Sequence, residues 1–301
     1  MTFGRKRTLR EQMLYRVTHQ TVYAYERRVL VSHNEARVTP RKTPSQAPLR
    51  THLLIEPTPG EMVVDQDFFG NTLHFFSLEE PHDRLSVAAV SDVEVNRVEP
   101  PALALTPAWE SVANLLRRDH TAYGLEALGY TYGSPFVPIV PDVLPYAMES
   151  FAKGRPVLDA ALELTERIHR DFRYEQGTTS IATPIREVLR TRQGVCQDFA
   201  HVEIGMLRAL GLSARYVSGY VRTHPPPGKP RLVGADASHA WVSLYCPGFG
   251  YVDLDPTNGV IPTDEHVTVA WGRDFGDVSP LRGVILGGGR HTLSVSVDVE
   301  L

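Results

Sequence analysis

The chain has 301 residues, 42% of them apolar, enough to bury a core and to fold as two units. Its formal net charge of −4 offers no cationic surface for nucleic acid or for an anionic membrane, and no apolar run approaches the ~20 residues that span a bilayer. The two cysteines, Cys196 and Cys246, make neither a disulfide framework nor a metal-ligand spacing. A reducing, cytoplasmic setting in which thiols stay free is therefore expected, with no metal and no cofactor.

The opening MTFGRKRTLREQM is basic without an apolar stretch behind it, and reads as an arm before an ordered domain that starts near Leu14. Residues 14–99 read as strands. Tyr15, Val17, Tyr23 and Tyr25 share one parity, THLLIEP and LSVAAVSDVEV are β-rich, and DFFGNTLHFF holds a Gly-Asn turn between aromatic runs. Five or more short strands without helical periodicity predict an N-terminal β-sandwich.

Residues 100–155 predict a helical, proline-rich connector: AWESVANLLRR has helical spacing, whereas SPFVPIVPDVLP cannot be one regular element. From 156 to 301 an α+β unit is expected, opening with the helical stripe of Leu158, Ala161, Leu162 and Ile168 and closing with the strand HTLSVSVDVEL. Gly287, Gly288 and Gly289 read as the turn before that strand, since no lysine or helix follows to make a phosphate cradle.

Within this unit RQGVCQDFAH raises the chemical question. Phe199, Val202, Met206, Ala209 and Leu210 recur at helical spacing and Gly211 ends the helix. Cys196 then sits in the first turn, where free backbone N–H groups and the positive dipole end favour a thiolate. Gly194 permits a sharp approach to the helix and room for a substrate backbone. Asp198 favours the same helix end, and His201, five residues on, points elsewhere as a surface or packing residue. The helix alone leaves a packed thiol and a nucleophile equally open.

ASHAWVSLYCPGFGYVDLDPTNG, residues 237–259, reads as a β-hairpin around CPGFG. Its odd positions His239, Trp241, Ser243, Asp253 and Asp255 share one face. A turn centred near 247 sets His239 opposite Asp255, and one centred a residue later makes them diagonal neighbours. Asp253 shares the parity, so the local pattern leaves both aspartates open as partners of His239. Cys246 lies at the turn without a helix and reads as inert. The acidic run lacks calcium-loop spacing. The proline-rich insert 223–236, just before the His239 strand, is placed to shape an acyl pocket.

GVCQDFAH, ARYVSGYV, SHAWV and DPTNG, in this order, resemble the bacterial transglutaminase-like superfamily of papain-like thiol enzymes over residues 156–275. YRVTHQTVYAYERRV followed by HNEARVTPR resembles the β-rich domain that precedes that core in bacteria. The resemblance implies a papain-like core whose cysteine helix packs on an antiparallel sheet. It implies a triad of Cys196, His239 and Asp255, which selects Asp255 over Asp253, and the backbone N–H of Cys196 as first oxyanion donor. Tyr174 is the candidate second donor and Gln193 the competing one. The implied reaction is acyl transfer or hydrolysis on a carboxamide or peptide bond through a Cys196 thioester, with a peptide or small amide as substrate and an amine as optional acceptor. A binding or scaffolding protein that keeps the fold without turnover is the rival reading.

Overall fold

A computed structural model describes residues 12–223 and 237–301. The basic arm and nearly all of the 223–236 insert lie outside the described residues. The fold is α+β, and among the described residues no helix is long and apolar enough to cross a membrane.

The N-terminal strands are β1 (Gln12–Ala36), β2 (Gln46–Glu56), β3 (Glu61–Gln66), β4 (Thr72–Leu78) and β5 (His82–Asn96). β1 organises all of them. Its first half pairs with β5 and its second half with β4, with a register shift between Ala24 and Val29. A bulge of this kind lets one strand serve two layers. The two layers close on Ile55, Phe76, Leu78, Leu85 and Val87. This is the expected sandwich, and its β3–β4 turn does place Gly70 at φ +71°, where a side chain would be strained.

Short helices follow: α1 (Trp109–Leu116), α2 (Ala122–Gly129) and α3 (Leu144–Met148), then the long α4 (Val157–Asp171). Leu158, Ala161 and Ile168 of α4 are fully buried, the stripe that periodicity marked, while Leu162 is half-buried. β6 (Arg173–Tyr174), α5 (Ile185–Thr191) and β7 (Gln193–Gly194) lead into α6 (Cys196–Ala209). Behind it lie β8 (Ala214–Val221), β9 (Ala237–Cys246), β10 (Gly250–Leu254) and β11 (His266–Gly272), a sheet of order β10-β9-β8-β11, followed by α7 (Phe275–Val278). α6 is buried on nearly every side, between this sheet and α4 and α5. Gly211, at φ +79°, ends it in a Schellman motif, with Leu212 N–H to Leu207 O at 3.0 Å and Gly211 N–H to Arg208 O at 2.9 Å.

The last strands, β12 (Leu281–Gly287) and β13 (His291–Glu300), correct one expectation. Placed by sequence in the 156–301 unit, they instead pair antiparallel with β1, Arg16 opposite Glu300 and Ala36 opposite Leu281. The 25-residue β1 has a second edge that β4 and β5 leave open, and these two strands complete its hydrogen bonds there. Their connecting turn needs its glycines: Gly287, Gly288 and Gly289 all have positive φ.

Two buried amides fasten the sandwich to β11. Gln46 donates to Thr268 O at 2.7 Å and accepts from Thr268 N–H at 2.9 Å. Asn71 does the same with the backbone of Trp271, both at 2.9 Å. Each amide acts as a short piece of added strand. Arg41 caps the joint, stacked 3.6 Å above the Trp271 ring.

Candidate active site

Asp198 builds the start of α6. Its carboxylate accepts from Val195 N–H at 2.8 Å and from Thr179 Oγ1 at 2.6 Å, and it is buried. Burial pushes its pKa up, against the pull of these two hydrogen bonds. The space above Gly194, expected to admit a substrate backbone, is taken by this carboxylate: a Cβ there would lie 2.6 Å from Asp198 Oδ2. Gly194 is required so that the cap can close.

On the hairpin, β9 and β10 pair Val242 with Leu254 and Cys246 with Gly250, which centres the turn on residue 248. His239 and Asp255 are therefore the diagonal pair of the two registers considered. They meet at 2.8 Å, Nε2 to Oδ2. Asp253 lies opposite Ser243 and takes its hydroxyl hydrogen bond instead. Geometry thus gives His239 to Asp255 and leaves Asp253 elsewhere.

Asp255 is fully buried and densely hydrogen-bonded. Oδ1 accepts from the N–H groups of Thr257 at 2.9 Å and Asn258 at 3.2 Å. Oδ2 accepts from His239, from Asn258 Nδ2 at 2.6 Å and from His266 Nε2 at 2.9 Å. Burial alone would raise its pKa. The bonds to His239 and His266 outweigh that and hold it well below the ordinary carboxylate range. For His239, burial pulls downward, but the hydrogen bonds to Asp255 and Cys196 and their charges raise its pKa to about 10. With Nε2 committed to Asp255, Nδ1 is the ring nitrogen left for the Cys196 sulfur.

Tyr174 is brought to the same place by a two-strand parallel ladder that sets it opposite Gly194, two residues before Cys196. Burial raises its phenol pKa, and the charge of Cys196 adds to that. Gln193 stands one step back in the ladder, opposite Arg173. The Tyr216 phenol, fully buried, is raised well above its usual value by burial and next by Cys196, and so also lies near the thiol. Cys246 is fully buried at the end of β9, its thiol pushed up to about 12 by burial. His201 is a packing residue: buried, stacked parallel on Phe136, and held near pKa 4 by burial.

The ring nitrogens of His239 and His266 and an Asp255 oxygen lie within 4.8 Å of one another, a donor set that metals use. Here both histidines and Asn258 point hydrogen-bond donors at the same oxygen, while His266 Nδ1 is left buried without a partner. Beside it, a cavity of about 690 Å³ is lined by Arg215, Ser243, Tyr251, Asp253, His266 and Trp271.

His266 and Glu203 escaped the sequence reading. Glu203, on α6, is fully buried; Oε1 accepts from Thr165 Oγ1 at 2.8 Å and Oε2 has no partner. Burial raises its pKa from 4.5 to about 8. The folded state therefore holds a proton that the unfolded chain releases. Stability is full below 4.5 and is lost as pH rises through about 8, at up to roughly 1.4 kcal/mol per pH unit. Glu203→Gln, permanently neutral, should remove that loss. Its melting temperature is expected to gain on wild type as pH rises across this window; a difference independent of pH would contradict the assignment.

A cysteine at the start of a buried helix, facing a histidine–carboxylate pair on a hairpin, is the arrangement of papain-like thiol folds. The bacterial transglutaminase-like N-terminal region matches residues 15–94, and the transglutaminase-like superfamily matches residues 146–256. The chain belongs to the transglutaminase-like superfamily. It is 40% identical over 293 residues to an uncharacterized protein of Mycobacterium tuberculosis, covering 95% of this chain and 92% of that one. A Mycobacterium leprae relative is 32% identical over 288 residues, covering 94% and 97%. A shorter match, 40% over 73 residues, is to a protein-glutamine gamma-glutamyltransferase of Pseudomonas aeruginosa, covering 24% of this chain and 11% of that one. The same fold occurs in a crystal structure of a candidate cysteine protease from Cytophaga hutchinsonii, with TM-score 0.75, 20% identity and coverage of 96% and 90%.

Proposed function

We propose that this chain is a cysteine enzyme that transfers acyl groups from carboxamide or peptide bonds, with Cys196 as nucleophile, His239 as acid and base, and Asp255 as the group that orients the imidazole. The observation that supports the reading is the convergence of these three side chains from α6, β9 and the end of β10, with His239 Nε2 2.8 Å from Asp255 Oδ2 and Cys196 close enough to raise the imidazole's pKa. The Cys196 thiolate attacks the carbonyl carbon, forming the C–S bond and a tetrahedral oxyanion. The backbone N–H of Cys196, at a helix position with no intrahelical acceptor, and the Tyr174 phenol serve as donors to that oxyanion. On collapse the C–N bond breaks, and the His239 imidazolium protonates the departing ammonia or amine. Water or an amine then gives a proton to His239 as it attacks the thioester, releasing an acid or a new amide and restoring the thiolate.

Small or peptide amides are the substrates this reading favours over protein crosslinking, and a reducing cytoplasm is the setting that keeps the thiol free. The intact set of three groups weighs against the scaffolding alternative. The test is capture of the thioester. Native protein is mixed with a library of peptide and small amides, quenched in acid, and the Cys196 peptide is examined by mass spectrometry. An acyl mass on Cys196, absent from Cys246, is the expected result. Substrate turnover without any adduct on Cys196, even in rapid quench, would contradict the mechanism.

A further inference from the structure

We propose that His266 is a positioning residue for this reaction, holding the Asp255 carboxylate in line with His239. The inference rests on the Cys196–His239–Asp255 reading above. His266 Nε2 meets Asp255 Oδ2 at 2.9 Å, and His239 Nε2 meets the same atom at 2.8 Å. Two imidazoles thus donate to one carboxylate oxygen, from strands that are not neighbours: β9 pairs with β8, and β8 with β11. The two backbone bonds to Oδ1 fix one end of the carboxylate. Its swing at the other end is set by His266 and Asn258.

The surroundings fix the His266 ring. Trp241, fully buried, stands edge-on to it at 5.1 Å and 86°, and also touches His239 at 6.0 Å. Gly219 makes room for this wedge; a Cβ there would come within 2.5 Å of the Trp241 ring. His266 Nδ1 is buried with no hydrogen-bond partner, so the bond to Asp255 is what the ring's polar side is built to make. Asp253 is the other carboxylate whose field the ring feels. The strand itself is clamped two residues on, where the buried Gln46 amide binds both backbone groups of Thr268. The N-terminal sandwich therefore acts on the site through β11: it anchors the strand that anchors the carboxylate.

The experiment compares wild type, His266→Phe, which keeps a ring against Trp241 but removes the donor, and His266→Gln, which restores an N–H donor. The rate of Cys196 modification by iodoacetamide is measured by mass spectrometry at about pH 6 and about pH 9, values below and above the ordinary thiol pKa of ~8.5. A misplaced carboxylate weakens the thiolate–imidazolium pair. In His266→Phe the rate at the lower pH should fall about tenfold, the rate at the higher pH should change less than about twofold, and His266→Gln should recover most of the loss. A merely structural role would lower the melting temperature without this selective change. A Phe profile that superimposes on wild type, or an equal fall at both pH values, overturns the role of His266 and leaves the triad reading standing. Wild-type Cys196 that reacts only as an ordinary thiol overturns the triad reading, and this inference with it. Should the Phe variant not fold, His266→Asn, too short to reach Oδ2, takes its place against His266→Gln.

Discussion

Asp255→Asn is expected to lower turnover by about 10³- to 10⁴-fold while leaving the fold intact, as substitutions that reverse a histidine tautomer do. The carboxylate accepts five hydrogen bonds, and His239 and His266 both deliver theirs to Oδ2. An amide in its place cannot accept from all of them. If its oxygen serves the backbone, its NH₂ faces His239 Nε2 and forces that nitrogen to accept, which puts the ring proton on Nδ1 and the wrong hydrogen pattern on the sulfur. Asp253→Asn should cost far less, because Asp253 bonds Ser243 and faces the cavity. Steady-state kinetics of the two variants on any amide substrate decides the point. A larger loss at Asp253 than at Asp255 would mean that the working carboxylate is not the one bonded to His239.

Cys196→Ser should reduce turnover by more than about 10³-fold, because a hydroxyl is far harder to ionise than a thiol beside the same imidazole. Cys196 is half-buried at a helix start, and serine fills nearly the same space, so the melting temperature should scarcely move. Cys246→Ser should do the reverse. That thiol is fully buried at the end of β9, and a hydroxyl there needs a partner it was not built to have. A loss of stability on the order of 1 kcal/mol with full activity is expected. Retained activity in Cys196→Ser would remove the covalent mechanism.

The parts of this site legible in the sequence are those set by local periodicity. Helical spacing after Cys196, with Gly211 as terminator, placed the thiol in a first turn, and the parity of the hairpin put His239 and Asp255 on one face. Parity could not separate Asp253 from Asp255, since both lie on that face; the turn centre at residue 248 and the Asn258 and Thr257 contacts did so in the fold. His266 left no local signal, because its meeting with Asp255 depends on the order of four strands. Glu203 carries no distinguishing signal in the helical spacing after Cys196, and only the packing of α6 on nearly every side shows it to be buried. The pairing of β12 and β13 with β1 joins the two ends of the chain, which no window of sequence contains. The sequence shows that Gly194 must be a glycine, but not that the group needing the room is the Asp198 carboxylate rather than a substrate backbone.

Everything else depends on His239 making Cys196 the reactive thiol of this chain. The most direct measurement treats native protein with substoichiometric iodoacetamide at about pH 6, where an ordinary thiol is nearly unreactive, and follows both cysteines by mass spectrometry. Cys196, at the helix start and beside His239, should be modified well before Cys246, whose thiol burial has pushed up to about 12. Equal rates at the two sites, or modification of Cys246 first, would contradict the account.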